Sequence, residues 1–300
     1  MITITPKEQS ILKLLAEYQL LLTHQIAILG ATGLRAAQKK MLILDQKRMV
    51  NIYHRPLNGN QGRPDKIYTI SQRGLNYLKE VGIIDKAISL NNISTKESSN
   101  LEHEILINWF RIHLQYIDKC LPDLETEFIS ASSLFLPSKN NGQPLIAEEV
   151  EIDDSNEEFI PDGVFSILNK KQNKHLLFFL EVDMSTEAIK SPNHSTTTIA
   201  QKIVNYKSYF SSQQYKRYEK KWNCEFNGFR CLIITNTLSR KELIANYLIA
   251  LQNVDFIWIT DQNQLFNHGI GAKIWIKCDT LHQLQRSIVG STLSFEKPLI

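Results

Sequence analysis

Two runs of this chain admit few arrangements: Phe159-Ile160-Pro161-Asp162-Gly163, and, after a polar turn, His175-Leu176-Leu177-Phe178-Phe179-Leu180-Glu181-Val182-Asp183. Phe165 and Ile167 belong to one short strand, and Leu176 to Asp183 is a second, apolar enough to be buried on both faces. Lys170 to Asn173 supply the hairpin turn. The pairing sets Asp162, before the first strand, close to Glu181 and Asp183, at the end of the second. Clustered carboxylates raise one another's pKa, and a divalent cation between them is the usual remedy. Oxygen donors at that density suit Mg2+ or Mn2+, ions that assist phosphodiester hydrolysis.

The pattern resembles the PD-(D/E)XK nuclease superfamily, in which a Pro-Asp and a Glu-x-Lys on adjacent strands hold the metal and a lysine activates water. The resemblance implies that Asp162 and Glu181 are metal ligands. Position 183 is Asp where the motif has Lys. Some members return the lysine from the next helix, and here Gln201-Lys202-Ile203-Val204-Asn205-Tyr206 offers Lys202, with Tyr206 four residues on and so on the same helix face. That pairing is similar to the Gln-x-x-x-Tyr of RecB-like nucleases. Glu104, in His103-Glu104, is where such nucleases often add a further carboxylate from the first helix of the domain. On this reading Asp162, Glu181, Asp183 and Lys202 are catalytic, and Asp162, Glu181 and Glu104 share the metal.

Charge divides the chain unevenly. Residues 1–82 hold 12 Lys and Arg against 5 Asp and Glu, 101–183 hold 6 against 16, and 184–300 hold 14 against 8. A basic head joined to a carboxylate-rich segment points to a nucleic-acid reader attached to a metal-dependent or metal-like domain. No run of eighteen apolar residues exists, and the N-terminus lacks a signal-peptide pattern, so the expected setting is cytoplasmic, away from membranes. Cys120, Cys224, Cys231 and Cys278 have no Cys-x-x-Cys spacing, which argues against zinc and a disulfide framework.

The basic head reads as three helices, a hairpin and a closing helix. Apolar residues from Ile11 to Leu22 recur at helical spacing after Pro6; Thr23 caps a second helix that stops at Gly30. A third runs from Thr32 or Gly33 to about Lys47, with Leu34, Ala37, Met41, Leu42 and Leu44 inward. Met49–His54 and Lys66–Ile70 are strands flanking a Gly- and Pro-rich turn, and Ser71 caps the last helix, Gln72–Glu80. This is the order of a winged helix-turn-helix. Arg35, Gln38, Lys39 and Lys40 would then read the major groove, Lys47 and Arg48 would flank it on phosphates, and Arg55, Arg63 and Lys66 would contact the backbone from the wing.

The polar stretch 85–100 reads as a linker between a winged helix at 1–84 and an α/β domain at 101–300. A long amphipathic helix, Leu101–Lys119, opens the second domain. Strands follow at Leu124–Ser130 and near Ile146–Glu151, then the acidic hairpin and a helix over about Thr198–Lys221. Phe229–Thr235 is a buried strand, Arg240–Asn253 a helix, Asp255–Thr260 and Lys273–Lys277 strands. The acidic run Glu148 to Glu158 reads as a solvated loop. The fold class is therefore α/β (α+β overall), a winged helix-turn-helix joined to a restriction-endonuclease-like domain.

The whole order resembles the replication-relaxation protein family. The residues that carry this resemblance are His103, Asp162, Glu181, Asp183, Thr186, Glu187, Lys202 and Tyr206. It implies a DNA-binding protein of a bacterial plasmid or mobile element, acting in replication, relaxation or mobilisation on double-stranded DNA, with Mg2+ or Mn2+ if it cuts. A homodimer, or contact with replication, mobilisation or transposition proteins, fits the same setting. The alternative is a transcriptional or replication regulator that uses the nuclease-like fold for dimerisation or docking. Where the family commonly has Arg-Gly-Thr after Glu-x-Asp, this chain has Met184-Ser185-Thr186.

Overall fold

A computed structural model describes residues 3–54, 65–86, 88, 90, 101–130, 146, 148–152, 155–190, 198–278 and 285–290. The chain divides into two compact units, with a boundary in the sequence between Ile112 and His113.

In the first unit, α1 (Pro6–Tyr18) starts on a reciprocal cap: Thr5 Oγ1 accepts from Glu8 N, and Glu8 Oε2 accepts from Thr5 N at 2.7 Å. The helix stops at Tyr18, short of the apolar run that suggested Leu22. Gln19 turns the chain with φ 65°, and Leu20–Leu22 become a strand, β1. Three consecutive buried leucines are satisfied by a covered strand as well as by a helix, so periodicity could not separate the two. Thr23 is the first residue of α2 (Thr23–Leu29) and not its cap; the Gln25 side chain accepts from Leu22 N at 2.9 Å in its place.

Helix α3 (Leu34–Gln46) buries Ala37, Met41 and Leu44, positions spaced on one face, and leaves Leu42 57% exposed, contrary to the inward placement expected of it. Strands β2 (Val50–Tyr53) and β3 (Ile67–Ile70) pair antiparallel, and β3 sits between β1 and β2. Ser71 caps α4 (Gln72–Glu80), accepting from Gly74 N at 3.1 Å and donating to Arg48 O at 2.8 Å. A Cβ on Gly74 would stand 2.3 Å from the Met49 carbonyl oxygen, so only glycine lets α4 lie this close to the sheet. Helix, strand, two helices and a hairpin make a winged helix-turn-helix. The wing tip, with Arg55 and Arg63, lies outside the described residues.

Helix α5 (Leu101–Cys120) contributes its first half to this unit. Asn108 Nδ2 donates to Tyr18 O and Leu20 O (3.2 and 2.7 Å), Gln25 Nε2 donates to Ile105 O at 3.1 Å, and the Arg111 guanidinium lies 3.8 Å from the Tyr18 ring centre. These contacts fasten the turn after α1, where its last carbonyls lack helical partners.

The second unit is built on a seven-stranded sheet of order β12-β11-β10-β9-β8-β7-β4. Its strands are β4 (Leu124–Ser130), β7 (Gly163–Asn169), β8 (Lys174–Asp183), β9 (Phe229–Thr235), β10 (Ile257–Asp261), β11 (Trp275–Lys277) and β12 (Gln285–Arg286). The β8–β9 and β9–β10 pairs are parallel and the others antiparallel. Parallel strands need crossovers, supplied by α6 (Ile199–Ser211) and α8 (Leu238–Ile249). The long helix expected over 198–221 is interrupted: α6 ends at Ser211, Gln213 adopts φ 58°, and a 3-10 turn (Gln214–Tyr218) leads into a short α7 (Glu219–Trp222). Helix α9 (Gln262–His268), capped by Asp261, was not foreseen.

The acidic run is not a solvated loop. It folds as a hairpin, β5 (Glu148–Ile152) with β6 (Ser155–Phe159). Glu148 is 1% exposed and bonds the Tyr218 hydroxyl at 2.6 Å and Arg217 Nη2 at 2.8 Å. A buried carboxylate needs such partners, and neither could be assigned from its own neighbourhood in the sequence.

Candidate functional site

The hairpin β7–β8 places Asp162 and Glu181 together because the pairing runs Gly163 to Leu180. Asp162 N donates to Leu180 O at 3.0 Å, and Asp162 Oδ2 accepts from Val182 N at 2.7 Å. Gly163 leaves room for the Phe128 ring: a Cβ would stand 2.1 Å from Phe128 Cζ, so the ring would have to move.

Thr198 caps α6 by accepting from Gln201 N at 3.2 Å, which fixes where the helix begins and so which face meets β8. Lys202 and Tyr206, one turn apart, both reach Glu181. Lys202 Nζ lies 3.2 Å from Glu181 Oε2 and 2.9 Å from Glu187 Oε1, and the Tyr206 hydroxyl donates to Glu181 Oε1 at 2.6 Å. Glu181 is 6% exposed and Tyr206 2%. Burial is the largest influence on Glu181, and with the nearby Asp162 charge it outweighs Lys202 and Tyr206, pushing the carboxyl up to about 7. Burial opposes the Lys202 charge too, but Glu181, Asp162 and Glu187 together outweigh it and raise that ammonium above its ordinary value. Tyr206 is raised as well, by burial first and Glu181 second, so its hydroxyl keeps its proton.

Asp183 faces a different partner. Arg240, on the first turn of α8, donates to it from Nε (3.1 and 3.2 Å) and Nη2 (2.8 Å), and Ser185 N adds a bond of 2.6 Å. Arg240 Nη2 also donates to Glu187 O at 2.6 Å, and Asn236 Nδ2 to Met184 O at 3.0 Å. Thr186 is exposed in this loop. Sequence reasoning missed Arg240 and Asn236. The signal was present: Asp183 pairs with Thr235 across parallel strands, so the helix after β9 must begin beside the end of β8.

Glu104 and His103 belong to the first unit, where Glu104 is 6% exposed, with His103 Nδ1 3.9 Å from its Oε1. Among the described residues no group of three His, Cys, Asp or Glu is placed to hold a metal ion.

On the winged helix, Arg35, Gln38 and Lys39 are exposed along α3 and Lys40 is half-buried. Arg48 is exposed with φ 56°, and Lys66 is half-buried beside β3. Lys47 is committed elsewhere: its Nζ donates to both Glu8 oxygens (3.0 and 3.1 Å) and to Thr3 O at 2.8 Å.

Fold and site together define a winged helix-turn-helix protein whose second unit carries a buried carboxylate–lysine–tyrosine centre on a mixed sheet. Residues 12–223 match the replication-relaxation family, and the chain belongs to it. No curated protein matches the chain. Among solved structures it is similar to the zinc-responsive MarR family member ZitR of Lactococcus lactis, at 15% identity and TM-score 0.23, over 27% of this chain and 52% of that one. A double mutant of ZitR matches at 14% identity and TM-score 0.23, over 39% and 66%. The chain thus spans half to two thirds of the length of those structures. No helix among the described residues is long and apolar enough to cross a membrane.

Proposed function

We propose that this chain binds double-stranded DNA through its winged helix and acts in the replication, relaxation or mobilisation of a bacterial plasmid or mobile element. The observation that carries the reading is the division of α3. Ala37, Met41 and Leu44 are buried, while Arg35, Gln38 and Lys39 stand out in solvent on the helix that a winged helix-turn-helix presents to the major groove. Membership of the replication-relaxation family supports the same role. Titration of the full chain against duplex DNA of the host element's replication origin, with scrambled duplex as control, tests it. No binding beyond that of an Arg35→Ala, Gln38→Ala variant defeats it.

One contact favours a second, catalytic reading. Lys202 comes from α6 to within 3.2 Å of Glu181, which supplies the cation that position 183 lacks and supports a PD-(D/E)XK nuclease-like centre. The donor set suits a hard divalent ion: Mg2+ is commonly held by one or two carboxylates with water and phosphate oxygens completing its shell, and Asp162 and Glu181 are such a pair. Mg2+ or Mn2+ bound there would lower the pKa of a coordinated water and offset phosphate charge. The protein's own part is separable. Lys202 keeps its proton and presents positive charge to a phosphate oxygen, and the Tyr206 hydroxyl holds Glu181 in place. Supercoiled plasmid incubated with Mg2+ or Mn2+ decides between this reading and a non-catalytic regulator. Nicking that Asp162→Ala and Lys202→Met abolish supports catalysis; equal behaviour of wild type and Asp162→Ala leaves DNA binding alone.

A further inference from the structure

Helix α3 carries one side chain that neither the core nor the polar base contacts account for. Leu42 is 57% exposed, more than Leu243 at 52% or Leu238 at 51%, so folding leaves most of it in water. A singly exposed leucine is ordinary on a protein surface. Its place on this helix is not.

With about 3.6 residues per turn, Leu42 lies roughly 20° around the axis from Arg35 and roughly 40° from Gln38. It stands between them, on the side away from the buried Ala37 and Leu44. Gln46, one turn further on, is exposed as well, and so is Lys39. The outward stripe of α3 is therefore polar except at Leu42. A rise of about 1.5 Å per residue puts Leu42 about 6 Å beyond Gln38 and about 10 Å beyond Arg35, a span of about three base-pair steps. Side chains on a helix lean towards its N-terminus, so Leu42 covers the turn that carries Gln38, near the end that enters the groove.

Towards the wing strands, Gln38, Leu42 and Asp45 line a cleft of about 430 Å3, together with Ile52 of β2 and Tyr68 of β3. The α3 side of this cleft holds no cation among the described residues, and Asp45 repels phosphate. The DNA backbone therefore gains nothing by settling against Leu42. Base edges differ. In the major groove the C5-methyl of thymine is an apolar group, and proteins read it by apolar contact.

We propose that Leu42 determines sequence preference by packing on the C5-methyl group of a thymine, a step or two along the groove from the bases that Arg35 and Gln38 contact. The inference rests on the DNA-binding reading above and adds a base to it. Lengthening the row of readers with an apolar member explains why a leucine stands in water where every neighbour on the stripe is polar.

The test uses the full chain and a duplex that it selects from a randomised pool, resynthesised with uracil at one thymine at a time. Uracil keeps every hydrogen-bonding group of thymine and removes only the methyl. At one position the wild type is expected to lose affinity roughly fourfold, the worth of one buried methyl group. Leu42→Ala, at an exposed position where the fold is not at stake, should bind the thymine and uracil duplexes equally, with the salt slope of the wild type. Leu243→Ala, similarly exposed on α8, should keep the wild-type ratio. A wild type that selects a duplex yet is indifferent to uracil at every position overturns this inference and leaves DNA binding standing. So does a thymine preference that survives Leu42→Ala. If that preference survives and Leu42→Ala instead sediments as a smaller species than the wild type, the leucine is a protein contact, which overturns the inference as well. Failure to select any duplex overturns the DNA-binding reading, and this inference with it.

Discussion

Arg240 grips Asp183 with two nitrogens, Nε at 3.1 and 3.2 Å and Nη2 at 2.8 Å, at the sequence position where a Glu-x-Lys motif would carry its lysine. The two cations of this region are thereby divided: Arg240 neutralises Asp183, and Lys202 serves Glu181. Side chains of the Arg240–Asp183 pair are 9% and 4% exposed. Breaking a buried pair from one side leaves a charge without compensation and costs about 3–5 kcal/mol. Arg240→Met is therefore expected to shift urea unfolding strongly, and Asp183→Asn less, since the amide still offers an oxygen to Ser185 N. The double variant should lose less than the sum of the single losses, because the second change removes the stranded partner. Strict additivity would show that the two residues are not coupled.

Glu181 gives the chain a pH signature. Its ordinary pKa of 4.5 rises to about 7 on folding, through burial first and Asp162 next. Between those values the folded protein holds a proton that the unfolded chain has released. Stability from this group is therefore complete below about pH 4.5, falls as pH rises, and is lost once pH passes about 7. Glu181→Gln should flatten that decline. Chemical unfolding at closely spaced pH values checks it; an unchanged slope between pH 5 and 7 in the variant refutes the assignment.

Much of this arrangement could be read from the sequence, and what could not has a common cause. The β7–β8 hairpin, α4 with its Ser71 cap and the strand Phe229–Thr235 were legible because each is specified by its own pattern of turn residues and apolar spacing. Lys202 and Tyr206 were legible as a helical pair, and their meeting with Glu181 followed from the strand-to-helix order. Three things were not. Leu20–Leu22 satisfies a helix pattern and leaves it because Tyr68 and its neighbours on β3 offer a strand partner. Glu148 was hidden in an acidic run, and its burial rests on partners distant in sequence, among them Arg217 and Tyr218, some seventy residues away. Lys47 resembled a phosphate contact until Glu8 claimed it. In each case the deciding partner is distant in sequence.

Gly163 joins the fold to the site. Replacing it with alanine drives a methyl group into the Phe128 ring, which stacks on Phe165 with centroids 6.1 Å apart. Overpacking of this kind costs about 1–3 kcal/mol, and here the strain falls on the residue next to Asp162. Gly163→Ala is expected to lower the melting temperature, and Phe128→Ala in the same chain to restore part of the loss by vacating the space. If the second change only adds to the first, the clash is not the cause.

The winged helix is tested by how its cations divide their work. Each phosphate contact contributes about 0.9 to the slope of log affinity against log salt. Arg55→Ala and Arg63→Ala in the wing are each expected to flatten that slope by about one unit and to weaken binding to every duplex alike. Arg35→Ala and Gln38→Ala, exposed on α3, are expected to cost about 1–3 kcal/mol on the preferred site and little on scrambled sequence. Lys47 should behave differently from all four. Its ammonium is held by Glu8, which is 2% exposed, and this contact joins the start of α1 to the end of α3. Lys47→Met should therefore lower the melting temperature of the first unit and leave the salt slope near that of the wild type. Affinity titrations at several salt concentrations, run beside melting curves, separate these outcomes. A flattened slope for Lys47→Met with unchanged melting would show that Lys47 leaves Glu8 for phosphate, and equal losses on both duplexes for Arg35→Ala would show that α3 does not read bases.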